Sequence, residues 1–124
     1  MLPNITSNLS SLLNHQPRRM VMIIASVRFN LRPGTTLAEV AKLFEASAPK
    51  YRDVPGLLTK HYVFGGGKGG GIYLWESREA AEQLYTAAWR QMIADRYGCE
   101  PEIEWLENPL TVDNVGGQVL NSAA

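Results

Sequence analysis

Alternating apolar residues between Val21 and Phe29 give the clearest strand pattern in this sequence. With the two-residue period of a strand, one face carries Val21, Ile23, Ala25, Val27 and Phe29. The other face begins with two apolar residues, Met22 and Ile24, before it becomes polar. The pattern predicts a strand whose N-terminal half is covered on both sides of the sheet.

The next segment has the apolar spacing and the capping residues of an amphipathic helix. Pro33-Gly34 indicates a turn, and Thr36 followed by Glu39 fits a capping box at the start of the helix. We expect the helix to end near Pro49. Its predicted buried stripe consists of Leu37, Val40, Ala41, Phe44 and Ala48.

Two further strands and a second helix follow, separated by glycine and proline. Pro55-Gly56 precedes a predicted strand at 57–64, and a glycine run leads into another at 71–76. Ser77 is placed as the N-cap of a helix, and Gly98 as its C-cap. The main apolar ridge of this helix consists of Ala81, Tyr85, Trp89 and Ile93.

A final strand completes the pattern, because residues 102–105 alternate between acidic and apolar side chains. The predicted order is β-α-β-β-α-β, which is that of the ferredoxin-like α+β fold. Two helices cover only one face of a four-stranded sheet, and the other face still carries apolar residues. We therefore expect two subunits to pack through their sheets as a two-fold homodimer.

The two ends of the chain are expected to lie outside the folded domain, which is placed at residues 20–115. Residues 1–19 are rich in Ser and Asn, and their few apolar residues have weak helical spacing. They are interpreted as a flexible leader, or as the result of a translation start placed upstream of Met20. The alternative is an arm that packs on a partner subunit. Residues 116–124 are expected to form a C-terminal tail.

Composition argues against several classes of protein. The chain has 124 residues, of which 45% are hydrophobic and 19% charged, and its formal net charge is zero. No basic surface for nucleic acid is therefore expected. The single cysteine, Cys99, cannot form an internal disulfide, and the longest apolar run is too short to cross a membrane. We expect one cytoplasmic domain with neither nucleic acid nor a membrane as partner.

Motifs that often indicate catalysis or cofactors are weak in this sequence. Gly65-x-Gly67-x-x-Gly70 has the letters of a dinucleotide-binding fingerprint, but it joins two predicted strands and should form a hairpin loop. The only histidines are His15 and His61, and no pair of side chains has metal-ligand spacing, so neither a metal nor another cofactor is expected. A Gly-x-Ser-x-Gly nucleophile turn does not occur, although a Ser-His-Asp triad stays open.

Aromatic and basic side chains form the best candidate pocket. If Tyr62 pairs with Tyr73 across the hairpin, one sheet face carries Lys60, Tyr62, Tyr73 and Trp75. His61 and Thr59 then lie on the opposite face with Ile72 and Leu74. The second helix is expected to bring Tyr85 and Trp89 to the same cleft; plain core packing is the alternative for both.

Two ordered blocks of residues carry a resemblance to a known family. They are Pro55-Gly56-Leu57-Leu58-x-Lys60-x-Tyr62 and Gly70-Gly71-Ile72-Tyr73-Leu74-Trp75-Glu76-Ser77-Arg78-Glu79-Ala80-Ala81-Glu82. Tyr85, Trp89, Tyr97-Gly98, Pro101 and Val112-Asp113-Asn114 extend the pattern. Over about residues 21–115 the chain resembles the YdhR-like monooxygenases, within the wider antibiotic-biosynthesis monooxygenase superfamily. The resemblance implies a ferredoxin-like subunit that forms a dimeric α+β barrel.

The resemblance also implies oxidation of a small aromatic, phenolic or polyketide-like substrate by molecular oxygen, without metal, flavin or haem. The candidate catalytic residues are Tyr85, Tyr73, Lys60 and His61, and the candidate substrate-binding residues are Trp89, Trp75, Tyr62 and Arg90. In this hypothesis Lys60 or Arg90 stabilises the substrate anion, and His61 is the base if it faces the cavity. The tyrosines donate hydrogen bonds, and the tryptophans stack on the substrate ring.

Two other functions stay open at this point. Relatives of the same shape include cyclases and isomerases, which need acid–base groups but no oxygen, and modules that bind a small molecule without catalysis. The superfamily often places a histidine on the second helix where this chain has Tyr85. Fold alone does not decide among these functions.

Overall fold

The computed structural model describes residues 21–123, which form an α+β structure. In chain order the elements are β1 (Met22–Asn30), α1 (Leu37–Tyr51), β2 (Leu57–Gly65), β3 (Lys68–Trp75), α2 (Arg78–Leu84), α3 (Ala87–Tyr97), β4 (Glu102–Asn108), β5 (Leu110–Asp113) and β6 (Gln118–Asn121). Within this part of the chain, no helix combines the length and the apolar character needed to cross a membrane.

The main sheet has four antiparallel strands in the order β2-β3-β1-β4. Strands β1 and β3 are therefore central, and each has a hydrogen-bonded neighbour on both sides. This order separates β1 from β2 and places β3 between them, which is compatible with a ferredoxin-like fold.

One face of the sheet forms the hydrophobic core together with the helices. The strands contribute Ala25, Val27, Phe29, Tyr73 and Trp75 to this core. The helices contribute Val40, Phe44, Tyr51, Ala81, Tyr85, Trp89, Ile93 and Tyr97. The ridge predicted for the second helical segment is buried, and it continues by one further turn to Tyr97.

Helix α1 begins where the sequence predicts but buries a different stripe. The Thr36 hydroxyl accepts a hydrogen bond from Glu39 N, and the Glu39 carboxylate accepts one from Thr36 N, so the capping box is confirmed. Leu37 is 63% exposed, and Ala41 and Ala48 are exposed as well. The prediction that these residues are buried was wrong, because the helix is rotated so that a different stripe, which includes a polar residue, faces the core. That stripe consists of Val40, Phe44, Ser47 and Tyr51.

The predicted second helix is interrupted at residues 85–86. Tyr85 ends α2, and the Thr86 hydroxyl accepts a hydrogen bond from Trp89 N as the N-cap of α3. The prediction of one continuous helix was wrong because a threonine side chain can satisfy the backbone N–H groups of a new helix start. Ser77 and Gly98 cap the two outer ends as predicted, the latter with a φ of 84°.

The glycine run forms a tight hairpin, and its turn fixes the register of β2 and β3. Gly66 and Gly67 have φ values of 58° and 76°, the left-handed values that a two-residue hairpin turn requires. Lys60 lies opposite Tyr73, and Tyr62 lies opposite Gly71. The predicted pairing of Tyr62 with Tyr73 was wrong by two residues. A shift of two preserves the face of every side chain, so the predicted face is unchanged.

A C-terminal hairpin covers one end of the opposite sheet face. Leu120 of β6 is buried with Met22 of β1, and both pack against Leu58 and Leu74. The Ser122 hydroxyl accepts a hydrogen bond from Met22 N and donates one to the Asn108 carbonyl, which ties the end of the chain to β1 and β4. Residues expected as a tail thus include a strand. The expectations for residues 1–19 and for Met20 lie outside the described residues.

Candidate functional site: a lysine enclosed by tyrosines

A small cavity lies between the helix-covered face of the sheet and helices α1 and α3. Three adjacent strands contribute to its lining, β1 through Val27, β2 through Lys60 and Tyr62, and β3 through Tyr73. The cavity has a volume of about 10 Å³ for a water-sized molecule. This is roughly the room that one ordered water needs.

Three tyrosine rings surround the amine of Lys60. Its Nζ lies 3.2 Å from the ring centre of Tyr51, 3.9 Å from that of Tyr62 and 4.6 Å from that of Tyr73. Gly71 makes this approach feasible, because a Cβ at that position would come within 3.0 Å of Lys60 Cε. We call Lys60 with Tyr51, Tyr62 and Tyr73 the lysine cage.

The cage provides no negative charge to Lys60. The one salt bridge among residues 21–123 joins Arg78 to Glu82, and within the same residues the Lys60 amine forms no hydrogen bond. An ammonium taken out of water without a counter-ion is costly, so the uncharged form is favoured. Burial, followed by the positive charge of Lys50, lowers the pKa of Lys60 to about 6.

The ring faces act in the opposite direction, because the negative face of an aromatic ring stabilises an ammonium group. Each such contact is worth ~0.5–2 kcal/mol, the upper end applying to desolvated sites. Several contacts together offset part of the desolvation cost but do not replace a hydrogen-bonded counter-ion. Burial and the charge of Lys50 lower the pKa of Lys60 to about 6, which favours the uncharged amine near neutral pH.

The hydroxyl groups of Tyr62 and Tyr73 remain protonated at neutral pH. Burial raises the pKa of Tyr62 and of Tyr73 above the ordinary value. The Tyr62 hydroxyl lies 2.8 Å from Ser47 Oγ, which itself donates to the Phe44 carbonyl. Tyr62 is therefore the donor to Ser47. Ser47 and Tyr51 belong to the site although sequence analysis missed both; their spacing from Val40 was the available signal.

Behind the cage, four aromatic residues form a hydrogen-bonded core cluster. Trp75 Nε1 donates to the Tyr85 hydroxyl at 3.0 Å, and Trp89 Nε1 donates to the Tyr51 hydroxyl at 3.0 Å. Trp75, Tyr85 and Trp89 are buried and do not line the cavity. Their position agrees with the core-packing alternative, and they connect to the site through Tyr51.

The remaining predicted site residues lie apart from the cage. His61 is exposed and pairs with Ile72 in the register, on the sheet face opposite Lys60, as expected. Arg90 is half-buried on α3 and does not line the cavity. Arg96, in the last turn of α3, lines it instead.

An open surface hollow of about 550 Å³ adjoins the cavity on the side of α3. Met92 and Arg96 line both spaces, so their side chains form the wall between the hollow and the cage. Methionine is flexible and adapts to different shapes, and arginine is long and exposed here. Movement of these two side chains would connect the hollow with the cavity.

The described residues contain no group of three or more His, Cys, Asp or Glu side chains arranged to hold a metal ion. In comparisons with known proteins, the sequence matches no family model and no curated protein sequence.

Proposed function

We propose that this protein is a small-molecule monooxygenase in which Lys60 removes a proton from a phenolic or enolic substrate. The observation that carries the proposal is the enclosed amine, which faces three tyrosine rings and no carboxylate among residues 21–123. An amine that is uncharged near pH 7 can accept a proton at the pH at which it works. This assigns to Lys60 the role of base that His61 was predicted to fill.

The proposed reaction begins with transfer of the substrate O–H proton to Lys60 Nζ. The resulting anion donates electrons to molecular oxygen far more readily than the neutral form. For a hydroquinone, the substrate and O₂ give the hydroxyquinone and one water: one oxygen atom forms a new C–O bond in the ring, the other leaves as water with two substrate hydrogens, and the substrate supplies all four electrons. The Lys60 ammonium stabilises the anion while it reacts, because attraction between opposite charges is strong in a water-poor site.

Substrate binding requires the cavity to open, because a phenol is much larger than one water molecule. The surface hollow beside Met92 and Arg96 is open to solvent and has a volume of about 550 Å³, so an aromatic ring system can lie against it. We propose that the substrate occupies this hollow and displaces Met92 to reach Lys60. Arg96 then lies beside the reacting anion and can neutralise it.

Oxygen consumption with hydroquinone-like phenols tests this function. We expect the rate to rise as the pH increases through about 6, because the Lys60 amine must lose its proton before it can act as a base. Lys60→Met should lower the rate by ~10²-fold or more, the usual contribution of a general base. Lys42→Met, on the exposed face of α1, is the matched control and should keep the parent rate. Equal rates for the two variants would exclude Lys60 as the base.

The same base supports a second candidate function, a cyclase or isomerase that transfers the proton without oxygen. Turnover of the same phenols under anaerobic conditions distinguishes the two, since only the oxygenase needs O₂. A binding module is the third alternative. It predicts that the protein binds the phenol without converting it, both in the presence and in the absence of oxygen.

The proposed functional unit is a homodimer with a ferredoxin-like subunit, paired through the sheet face opposite the helices. On that face Ile24 of β1 lies between Leu74 and Leu106 in the strand register. Leu106 is 45% exposed at the edge strand β4. A two-fold interface would bury this apolar row against its own copy.

Light scattering coupled to size-exclusion chromatography tests the dimer. We expect the parent protein at twice the subunit mass, and Leu106→Glu at the subunit mass, because a carboxylate in the apolar row loses its hydration on association. Leu43→Glu is the control: Leu43 is 40% exposed on α1, on the helix side. A parent protein that is monomeric at micromolar concentration would contradict the dimer.

A further inference from the structure

We propose that the Lys60 amine forms an imine with small aldehydes that enter the lysine cage. This is a covalent reaction of the same residue, distinct from the oxygenation above. It depends on an accessible lone pair on Nζ and a water-poor space beside it. It needs no oxygen and no phenolic substrate.

The surroundings of Lys60 leave the nitrogen lone pair available. Among residues 21–123 no carboxylate pairs with the amine and no hydroxyl or carbonyl is hydrogen-bonded to it. Arg96 lines the cavity, and the acidic Asp95 lines the adjoining hollow but not the cavity. Burial and the positive charge of Lys50 favour the uncharged amine, which is the nucleophilic form.

The other lysines have a different environment. The chain has four lysines, and the remaining three, Lys42, Lys50 and Lys68, are exposed. In water a lysine amine has a pKa of about 10.4, so roughly one molecule in a thousand is uncharged near pH 7. Lys60 is uncharged in most molecules at that pH. The three exposed lysines therefore serve as internal controls for the reactivity of the Lys60 amine.

The proposed reaction is a condensation that releases one water. The Nζ lone pair attacks the carbonyl carbon, and the C=O π electrons move to oxygen. Transfer of a proton from nitrogen to oxygen gives a carbinolamine. Breaking the C–O bond then expels the oxygen as water, the nitrogen loses its second proton to that oxygen, and a C=N bond remains. No electrons are gained or lost, so no oxidant or reductant is involved.

The dimensions of the cavity select the aldehyde. The cavity has room for about one water-sized molecule, so a one- or two-carbon aldehyde requires the least displacement of Met92, which lines both the cavity and the hollow. The surrounding tyrosine rings keep bulk water from the C=N bond, which slows its hydrolysis. Larger aldehydes require the wall between the hollow and the cavity to open.

Reductive trapping with acetaldehyde and cyanoborohydride tests the proposal on the full-length protein. Cyanoborohydride reduces an imine to a stable ethylamine, and peptide mass spectrometry identifies the lysine that carries it. At pH 6.5 we expect Lys60 to be ethylated at least ~10-fold faster than each exposed lysine, because only Lys60 is largely uncharged. At pH 10, close to the pKa of a lysine amine in water, protonation no longer suppresses the reaction of an ordinary lysine strongly, and the preference for Lys60 should become much smaller.

Two further outcomes make the test specific. Met92→Ala should increase the rate at Lys60 and leave the rates at Lys42 and Lys68 unchanged, because it widens the passage from the hollow. Circular dichroism on the treated protein confirms that labelling occurs in the folded state. Ethylation of Lys60 no faster than that of the exposed lysines at pH 6.5 would overturn the proposal. Since no oxygen is consumed, that result would not depend on whether the protein is an oxygenase.

Discussion

Replacing Lys60 with methionine should make the protein more stable at pH 7, although the residue lies at the centre of the site. The methionine side chain has a similar length and carries no charge, so it can occupy the same space against the tyrosine rings. It removes an amine that has no counter-ion among the described residues. We expect the free energy of unfolding to increase by at least ~2 kcal/mol.

The increase should depend on pH in a defined direction. Because the pKa of Lys60 is lowered from 10.5 to about 6 in the folded protein, the unfolded chain binds one more proton between these values. Stability is therefore lost as the pH falls through this window, by up to ~1.4 kcal/mol per pH unit. Burial raises the pKa of Tyr62 and Tyr73, so these groups do not titrate between pH 6 and 9.

Urea denaturation of the parent and of Lys60→Met at pH 6, 7, 8 and 9 measures this effect. We expect the difference between the two proteins to be greatest at pH 6 and to shrink at each higher pH. Lys42→Met, which removes an exposed amine from α1, should unfold like the parent at every pH. A Lys60→Met variant less stable than the parent at pH 6 would show that the ammonium is stabilised in its cage.

Gly70→Ala should have the largest destabilising effect of any single methyl group added to the hairpin. Gly70 lies in the central strand β3, opposite Arg28 of β1 and Val63 of β2. A Cβ at this position would overlap the carbonyl oxygen of Val27, which belongs to the backbone of β1. A backbone atom cannot turn away as a side chain can, so β1 and β3 would have to separate. We expect a loss of more than ~3 kcal/mol.

The same hairpin provides a control for Gly70→Ala. Gly65 is the last residue of β2, and a Cβ there would meet nothing within 4 Å. Gly65→Ala should change stability by less than ~1 kcal/mol. Thermal unfolding of both variants followed by circular dichroism gives the comparison. Similar midpoints for the two variants would mean that the close approach of β3 to β1 at Gly70 is not rigid.

The sequence predicted the elements of the fold well because each has a local signal. The capping residues Thr36, Ser77 and Gly98 mark helix ends by hydrogen bonds within a few residues, and all three are confirmed. Thr86 has the same chemistry but stands inside an apolar ridge that suggested an unbroken helix. The new helix start at Thr86 is compatible with the tertiary packing, since the apolar ridge stays buried although the helix is interrupted.

The site was only partly predictable, because its residues are brought together by register and helix rotation. The face shared by Lys60, Tyr62 and Tyr73 follows from strand alternation, and even a two-residue error in the register preserved it. Tyr51 is different. It follows Pro49, where the pattern suggested that the helix ends, yet its ring makes the closest contact with Lys60.

The absence of a counter-ion could not be read from the sequence either, because it is a property of the assembled surroundings of Lys60. Many lysines in strands place the amine in water, beyond an apolar stem. Here Gly71 and the three tyrosines draw the amine inward, and the acidic side chains of residues 21–123 lie elsewhere. The central claim of this account is that the Lys60 amine is uncharged near neutral pH.

Nuclear magnetic resonance titration of the lysine side chains tests that claim most directly. With ¹³C-labelled lysine, the Cε and Nζ shifts of all four residues can be followed from pH 5 to pH 11, and the Lys60→Met variant identifies the Lys60 signal. We predict a midpoint of about 6 for Lys60, far below the value of about 10.4 that is typical of a lysine amine in water. A Lys60 midpoint near that of the exposed lysines would contradict the account.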